Sequence, residues 1–119
     1  MPRFVIHEHK SRRLHYDLRL ELDKTLKSWA VPKKPPSVKG IKRLAIQVND
    51  HSLDYIDFEG IIPEGNYGAG KVKIWDNGEF ELESRKKDKI IFNLKGKKLQ
   101  GEYVLLKMKE MQWLFFKTG

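Results

Sequence analysis

Between Leu14 and Leu22 every even-numbered residue is apolar and every odd-numbered one is polar or charged. A repeat of two puts Leu14, Tyr16, Leu18, Leu20 and Leu22 on one face of a strand, whereas a helix would scatter them around its circumference. The segment is predicted to be a strand. Asp23-Lys24 then turns the chain, and residues 25–31 read as its hairpin partner, ended by Pro32 and the Pro35-Pro36 pair. Residues 32–40 form a stiff, basic loop. The stretch 42–48 alternates again, with Leu44, Ile46 and Val48 on one side and Arg43, Ala45 and Gln47 on the other, which predicts a third strand.

No sustained period runs through residues 49–70, where Gly60, Gly65, Gly68, Gly70 and Pro63 occur. A long loop is expected there. Loops of that length in small domains are usually functional or disordered, and Tyr55, Phe58 and Tyr67 argue for order. Residues 71–75 and 79–82 flank Asp76-Asn77-Gly78, a predicted hairpin turn, because Asn-Gly readily takes the positive φ angles of a tight turn. Further strands are predicted at 90–94, 102–109 and 112–117, with turns at Gly96, Gly101 and Glu110. About eight short strands with almost no helical period indicate an all-β fold, and a small closed barrel is preferred because closure removes exposed edges.

The length of 119 residues suits one domain, 1–119, and such a chain buries about 65% of its unfolded surface without needing cross-links. The lack of cysteine excludes disulfide frameworks, thiolate zinc sites and cysteine nucleophiles. Any metal must take nitrogen and oxygen ligands. Runs such as Tyr103-Val-Leu-Leu fall far short of the ~20 apolar residues of a membrane helix, and charge interrupts the first residues too early for a secretory signal. A cytoplasmic monomer is expected.

Charge is unevenly placed along a chain of net +8. Residues 10–43 and 85–109 are strongly basic, and 44–84 are acidic. A basic surplus favours phosphate polymers, because neutralising phosphates releases condensed counterions. For 85–89 (Arg-Lys-Lys-Asp-Lys) and Lys97-Lys98 a solvated surface is the preferred reading.

The odd face of the first strand carries His15, Asp17, Arg19 and Glu21. Neighbours on a strand face lie about 6.6 Å apart, so His15 and Asp17 are able to converge on one cation. His9, folding back from upstream, is a third candidate ligand, and a His-His-Asp set with open positions suits zinc, manganese or iron. Arg19 is placed to hold a phosphate beside that ion. The competing reading is an ordinary solvated face on which Asp17 and Arg19 pair. His51 is a candidate proton donor, acceptor or phosphate ligand over the mouth of the barrel, or an ordinary hydrogen-bonding residue. Arg43 is equally well a surface ion-pairing residue, and nothing local decides the role of His7. The stretch 63–70 (Pro-Glu-Gly-Asn-Tyr-Gly-Ala-Gly) lacks the ending of a P-loop, so its glycines are read as permitting a tight path.

Taken together, four blocks in order resemble the 3′-phosphoesterase domain of bacterial and archaeal DNA ligase D. They are 9–21 (His-Lys-Ser-Arg-Arg-Leu-His-Tyr-Asp-Leu-Arg-Leu-Glu), 26–33 (Leu-Lys-Ser-Trp-Ala-Val-Pro-Lys), 50–55 (Asp-His-Ser-Leu-Asp-Tyr) and 60–70 (Gly-Ile-Ile-Pro-Glu-Gly-Asn-Tyr-Gly-Ala-Gly). The resemblance implies a small β-barrel with a manganese site in a polar crater, which removes a 3′-terminal ribonucleoside and then the 3′ phosphate. By position it implies that His9, His15 and Asp17 bind the metal and that Arg19 and His51 contact the reacting phosphate. Lys33, Arg43 and Tyr55 match further family positions needed there. The donor set also admits Zn2+ or Co2+.

Three departures accompany the match. His7 stands where the family more often has Gln, Ser52 stands where Pro is usual, and only eight residues precede His9, so the amino-terminal arm that assists ribonucleoside removal is expected to be missing. The expected partners are DNA or RNA 3′ ends, with a ligase and a polymerase met in trans and no membrane. A noncatalytic nucleic-acid-binding barrel is the main rival. A cupin-like enzyme fits less well, because its ligands follow a His-x-His pattern.

Overall fold

Antiparallel strands wrap into a closed barrel in the computed structural model, which describes residues Met1–Gly119. The strands are β1 (Arg3–Lys10), β2 (Leu14–Leu22), β3 (Thr25–Val31), β4 (Lys42–His51), β5 (Gly60–Ile62), β6 (Gly70–Lys86), β7 (Lys89–Gly96), β8 (Gln100–Lys109) and β9 (Gln112–Lys117). A 3₁₀ turn, Leu53–Asp57, follows β4. The order is β1-β2-β3-β4-β9-β8-β7-β6, and pairing of β6 with β1 closes the ring, while the short β5 is added on β6. No helix is long and apolar enough to cross a membrane.

The alternation in β2 decides what lies inside. Tyr16, Leu18, Leu20 and Leu22 enter the barrel with Phe4 and Ile6 of β1 and pack against Trp29, Phe80, Phe92, Tyr103 and Phe115. Each such side chain contributes about 1.5–3 kcal/mol on burial. Phe92, Tyr103 and Phe115 stack on one another, with centroid separations of 5.2–6.5 Å.

Three elements depart from the sequence expectations. β1 was not predicted, because its outward row mixes Val5 with His7 and His9 and its other row passes from Phe4 and Ile6 to Glu8 and Lys10, so the alternation does not separate apolar from polar. Asp76-Asn77-Gly78 is no turn: β6 continues through it, and none of the three residues has a positive φ. At that point β6 changes partner, from β1 to β7. Gly78 is required by close approach, since a Cβ there would lie 2.2 Å from the Lys95 carbonyl oxygen. The Asp76 carboxylate instead turns toward the β7–β8 connection and accepts the backbone N–H groups of Lys97, Lys98 and Leu99 at 2.8–3.2 Å. The third departure is in 49–70, where β4 extends to His51 and the 3₁₀ turn and β5 give the predicted loop regular structure.

The loop is held over the outside of the barrel. Val5, Leu26 and Ile56 form a second, smaller apolar cluster on the outward face, with Tyr55 and Ile74 against it. The odd residues of β2 are therefore covered, although they face away from the main core.

Candidate active site

Register does the first part of the assembly. β1 and β2 pair with His9 opposite His15 and His7 opposite Asp17, and β2 and β3 pair with Asp17 opposite Ala30 and Arg19 opposite Ser28. Directly paired residues point to the same face of a sheet, so His7, His9, His15, Asp17, Arg19 and Ser28 share one outward face. His51, at the end of β4 opposite Leu26, comes in from the side. The 3₁₀ turn brings Tyr55, and residues 64–70 form the far wall. They enclose a hollow of about 620 Å³, with Lys10 and Arg12 among its lining residues.

The ligand atoms of His9, His15 and Asp17 all lie within 4.8 Å of one another. His9 Nε2 is 2.8 Å from the Gly68 carbonyl oxygen and His15 Nδ1 is 3.2 Å from that of Arg13. A carbonyl only accepts, so those nitrogens carry the protons. The lone pairs of His9 Nδ1 and His15 Nε2 then face each other at 3.2 Å, beside the Asp17 oxygens at 3.4–3.6 Å. Three acceptors converging on one point, with the outer nitrogens oriented by carbonyls, fit a divalent cation. Without a cation the charge falls to a proton: the hydrogen bond to Asp17 raises the pKa of His15, against the effect of its burial. Burial would raise the pKa of Asp17, but His15, His9 and Arg19 together outweigh it and hold the carboxyl well below its ordinary value.

Arg19 is only 4% exposed, and four groups fix its guanidinium. Nε donates to His7 Nδ1 at 3.1 Å, one terminal nitrogen donates to Ser28 Oγ at 2.9 Å and to His51 Nδ1 at 3.1 Å, and the other donates to Asp17 Oδ2 at 3.3 Å. The ring of Tyr55 lies 5.1 Å from the guanidinium carbon. Since arginine only donates, His7 Nδ1 and His51 Nδ1 must be unprotonated. His7 therefore carries its proton on Nε2, which donates to the Phe58 carbonyl at 3.0 Å. Burial, with the Arg19 charge beside it, pushes the pKa of His7 down to about 4. His51 is lowered by the same two causes in the same order, so its neutral ring keeps a proton on Nε2.

Tyr55 stacks on Phe58 at 4.9 Å and lies 4.6 Å from the His51 ring, between centroids. Burial raises its phenol pKa.

A sequence profile of the DNA Ligase D 3'-phosphoesterase domain matches residues 7–107. The chain belongs to that family. It is 49% identical over 125 residues to the multifunctional non-homologous end joining protein LigD of Pseudomonas aeruginosa, covering 98% of this chain and 15% of that protein. It is also 49% identical over 115 residues to the multifunctional non-homologous end joining DNA repair protein LigD of Mycobacterium tuberculosis, covering 93% and 15%. The LigD protein of Mycolicibacterium smegmatis is 45% identical over 123 residues, with 94% and 16% covered. The chain thus spans about 15% of the length of these relatives.

Of the positions that the resemblance to this 3′-phosphoesterase family singles out, the structure gathers His9, His15, Asp17, Arg19, His51 and Tyr55 around one hollow. It does not bring Arg43 or Lys33 there. Arg43 pairs with Phe115, a core residue, so it sits on the opposite face of β4, and its Nε donates to the Lys34 carbonyl at 2.9 Å. Lys33 is exposed in the loop after β3. Three contributors were missed by the sequence reading: Ser28, the Gly68 carbonyl and, as the partner of Arg19, His7. Period two in β3 places Ser28 beside Arg19 once the register is known, but the Gly68 carbonyl had no signal.

Proposed function

We propose that this chain is a metal-dependent 3′-end-healing phosphoesterase, which removes a 3′-terminal ribonucleoside and a 3′ phosphate from DNA or RNA primer ends to leave a 3′ hydroxyl. The observation that carries the reading is the convergence of His9 Nδ1, His15 Nε2 and the Asp17 carboxylate, all within 4.8 Å of one another, beside a buried arginine. A divalent ion held by those three residues, manganese in this reading, supplies Lewis acidity toward a phosphate oxygen.

The chain's own residues do the rest. Arg19 is anchored by His7, Ser28, His51 and Asp17, so its one uncommitted N–H is fixed in direction and its charge requires no reorganisation to meet the charge building on the phosphate oxygens. His51, neutral and with its proton on Nε2, donates a hydrogen bond to a phosphate oxygen or to the departing oxygen. Tyr55 keeps the His51 ring in position by ring contact, and Lys10 and Arg12 add positive potential at the hollow. Membership of a 3′-phosphoesterase family supports the choice of reaction, and the names of the relatives support a place in non-homologous end joining, where a ligase and a polymerase act on the healed end.

The deciding assay uses 5′-labelled duplexes ending in a single ribonucleotide or in a 3′ phosphate, incubated with manganese, zinc or chelator. Conversion to a 3′-hydroxyl product with manganese and none with chelator is expected. Tight duplex binding in chelator with no turnover of either end under any metal would replace this reading with a noncatalytic binding barrel.

A further inference from the structure

The lysine-rich stretch 85–89 reads in sequence as a solvated turn, yet the fold brings it together with charges from two other strands. Lys27 of β3, Arg85, Lys86 and Lys87 at the β6–β7 turn and Lys107 of β8 ring a cavity of about 380 Å³. Trp29 and Trp113 lie at its base, edge to face at 5.7 Å, with Gln47 beside them. These are inward-facing residues, so the cavity is an open end of the barrel.

Carboxylates answer only part of this charge. Asp50 pairs with Lys27 at 2.9 Å, and Asp23 takes both terminal nitrogens of Arg85 at 2.8 Å. Asp88, in the same turn, meets Lys107 only through its backbone carbonyl, which accepts the Lys107 backbone N–H at 2.7 Å. Lys86, Lys87 and Lys107 have no ion-pair partner. Below them the indole N–H of Trp113 is satisfied by Gln47 Oε1, but that of Trp29 is buried with no acceptor. Three unpaired cations around one opening suit an anion.

Geometry ties this mouth to the hollow. Lys27 lies three residues before Ala30, which lines the hollow, a separation of about 10 Å along a strand. Asp50, the partner of Lys27, directly precedes His51. The two sites therefore share the β3–β4 ribbon, one on each face. A nucleic-acid strand advances about 3.4 Å per nucleotide in a duplex, so a backbone leaving the hollow and passing over the rim meets the mouth roughly three to five nucleotides from its end.

We infer that this mouth binds backbone phosphates of the same nucleic acid whose 3′ end lies in the hollow, so that the protein engages the duplex at two points. The identity of the strand rests on the proposed phosphoesterase reading; the binding of a polyanion by the mouth does not.

Two measurements test it with the Lys86→Ala, Lys87→Ala, Lys107→Ala variant, whose changes are at exposed or half-exposed positions. The first compares kcat/KM on a 3′-phosphate duplex of about 20 base pairs with that on a fragment of about two nucleotides, too short to reach the mouth, ending in the same group. The wild type is expected to prefer the long substrate, and the variant to lose that preference by about tenfold or more. The second is fluorescence anisotropy on a 3′-hydroxyl duplex in chelator, which needs no turnover. The slope of log affinity against log salt is expected to fall by about 2–3 in the variant. Weaker binding by the variant in a protein that turns over no 3′ end would support the mouth and sink the phosphoesterase reading. An unchanged preference and slope in an active enzyme would overturn the mouth and leave that reading standing. Protection of Lys86 and Lys87 from acetylation by inorganic phosphate but not by duplex would also overturn it.

Discussion

The imidazoles of His9 and His15 turn Nδ1 and Nε2 toward each other across 3.2 Å, because the other nitrogen of each ring faces a backbone carbonyl on the far side. Two ring nitrogens this close need positive charge between them, supplied by a metal ion or, in its absence, by a proton. His15→Ala is therefore expected to abolish manganese binding, followed by calorimetric titration, and manganese-dependent phosphate release, while circular dichroism stays that of a folded barrel. Full activity in that variant would remove His15 from the ligand set.

His7 is expected to matter through the hydrogen bond it accepts from Arg19 Nε and the one it gives to Phe58. His7→Phe removes both and leaves a buried guanidinium N–H unpaired, a cost of about 1–3 kcal/mol with a matching loss of activity. His7→Gln offers an oxygen to Arg19 and an N–H to Phe58, so it should restore most of both. Equal damage by the two substitutions, read from denaturant midpoints and initial rates, would show that ring packing against Tyr55 is what counts.

Alkaline stability should report on Tyr103. Its hydroxyl donates to the Pro36 carbonyl at 2.8 Å, and burial pushes its pKa up to about 12. The unfolded chain releases this proton near the usual ~10. Between those values the unfolded state holds fewer protons than the folded one, so stability must fall as pH rises, by about 2–3 kcal/mol in total. Tyr103→Phe loses one hydrogen bond at neutral pH but should show a shallower decline above pH ~10 in urea titrations. Parallel declines in the two proteins would mean that the phenol ionises freely in the fold.

Asp76 holds the β7–β8 turn by accepting three of its backbone amides. Asp76→Ala strands those donors and should cost about 3 kcal/mol or more, lowering the melting temperature by roughly 10 °C or more. Asp76→Asn keeps one oxygen and should fall between the two. A melting temperature unchanged by the alanine would show that water replaces the carboxylate without penalty.

Legibility in the sequence followed the cleanness of each alternation. β2 separates apolar from polar without exception, and both the barrel core and the His15-Asp17-Arg19 face could be read from it. β1 has the same geometry, but Val5 shares its outward row with His7 and His9, so neither the strand nor the pairing of His9 with His15 was visible. Alternation cannot say which side of a strand is the inside. On β4 the apolar row of Leu44, Ile46 and Val48 faces out and Arg43 faces in, so Arg43 is kept from the hollow. The Asn-Gly signature at 77–78 describes what two residues can do locally, and the partners on both sides of β6 decided otherwise. The carbonyl of Gly68 had no signal at all, since any residue carries one.

Because neighbouring residues of β2 look into opposite surroundings, cohesion and reactivity are interleaved along the same nine positions. Changing Leu18 or Leu20 opens the interior itself, while changing Asp17 or Arg19 first alters the chemistry and adds a stability cost for the buried partners left unpaired. The two kinds of change act on opposite faces of one ribbon, so a different ion or leaving group can be installed there without touching the apolar interior, provided that the buried partners of Asp17 and Arg19 stay satisfied.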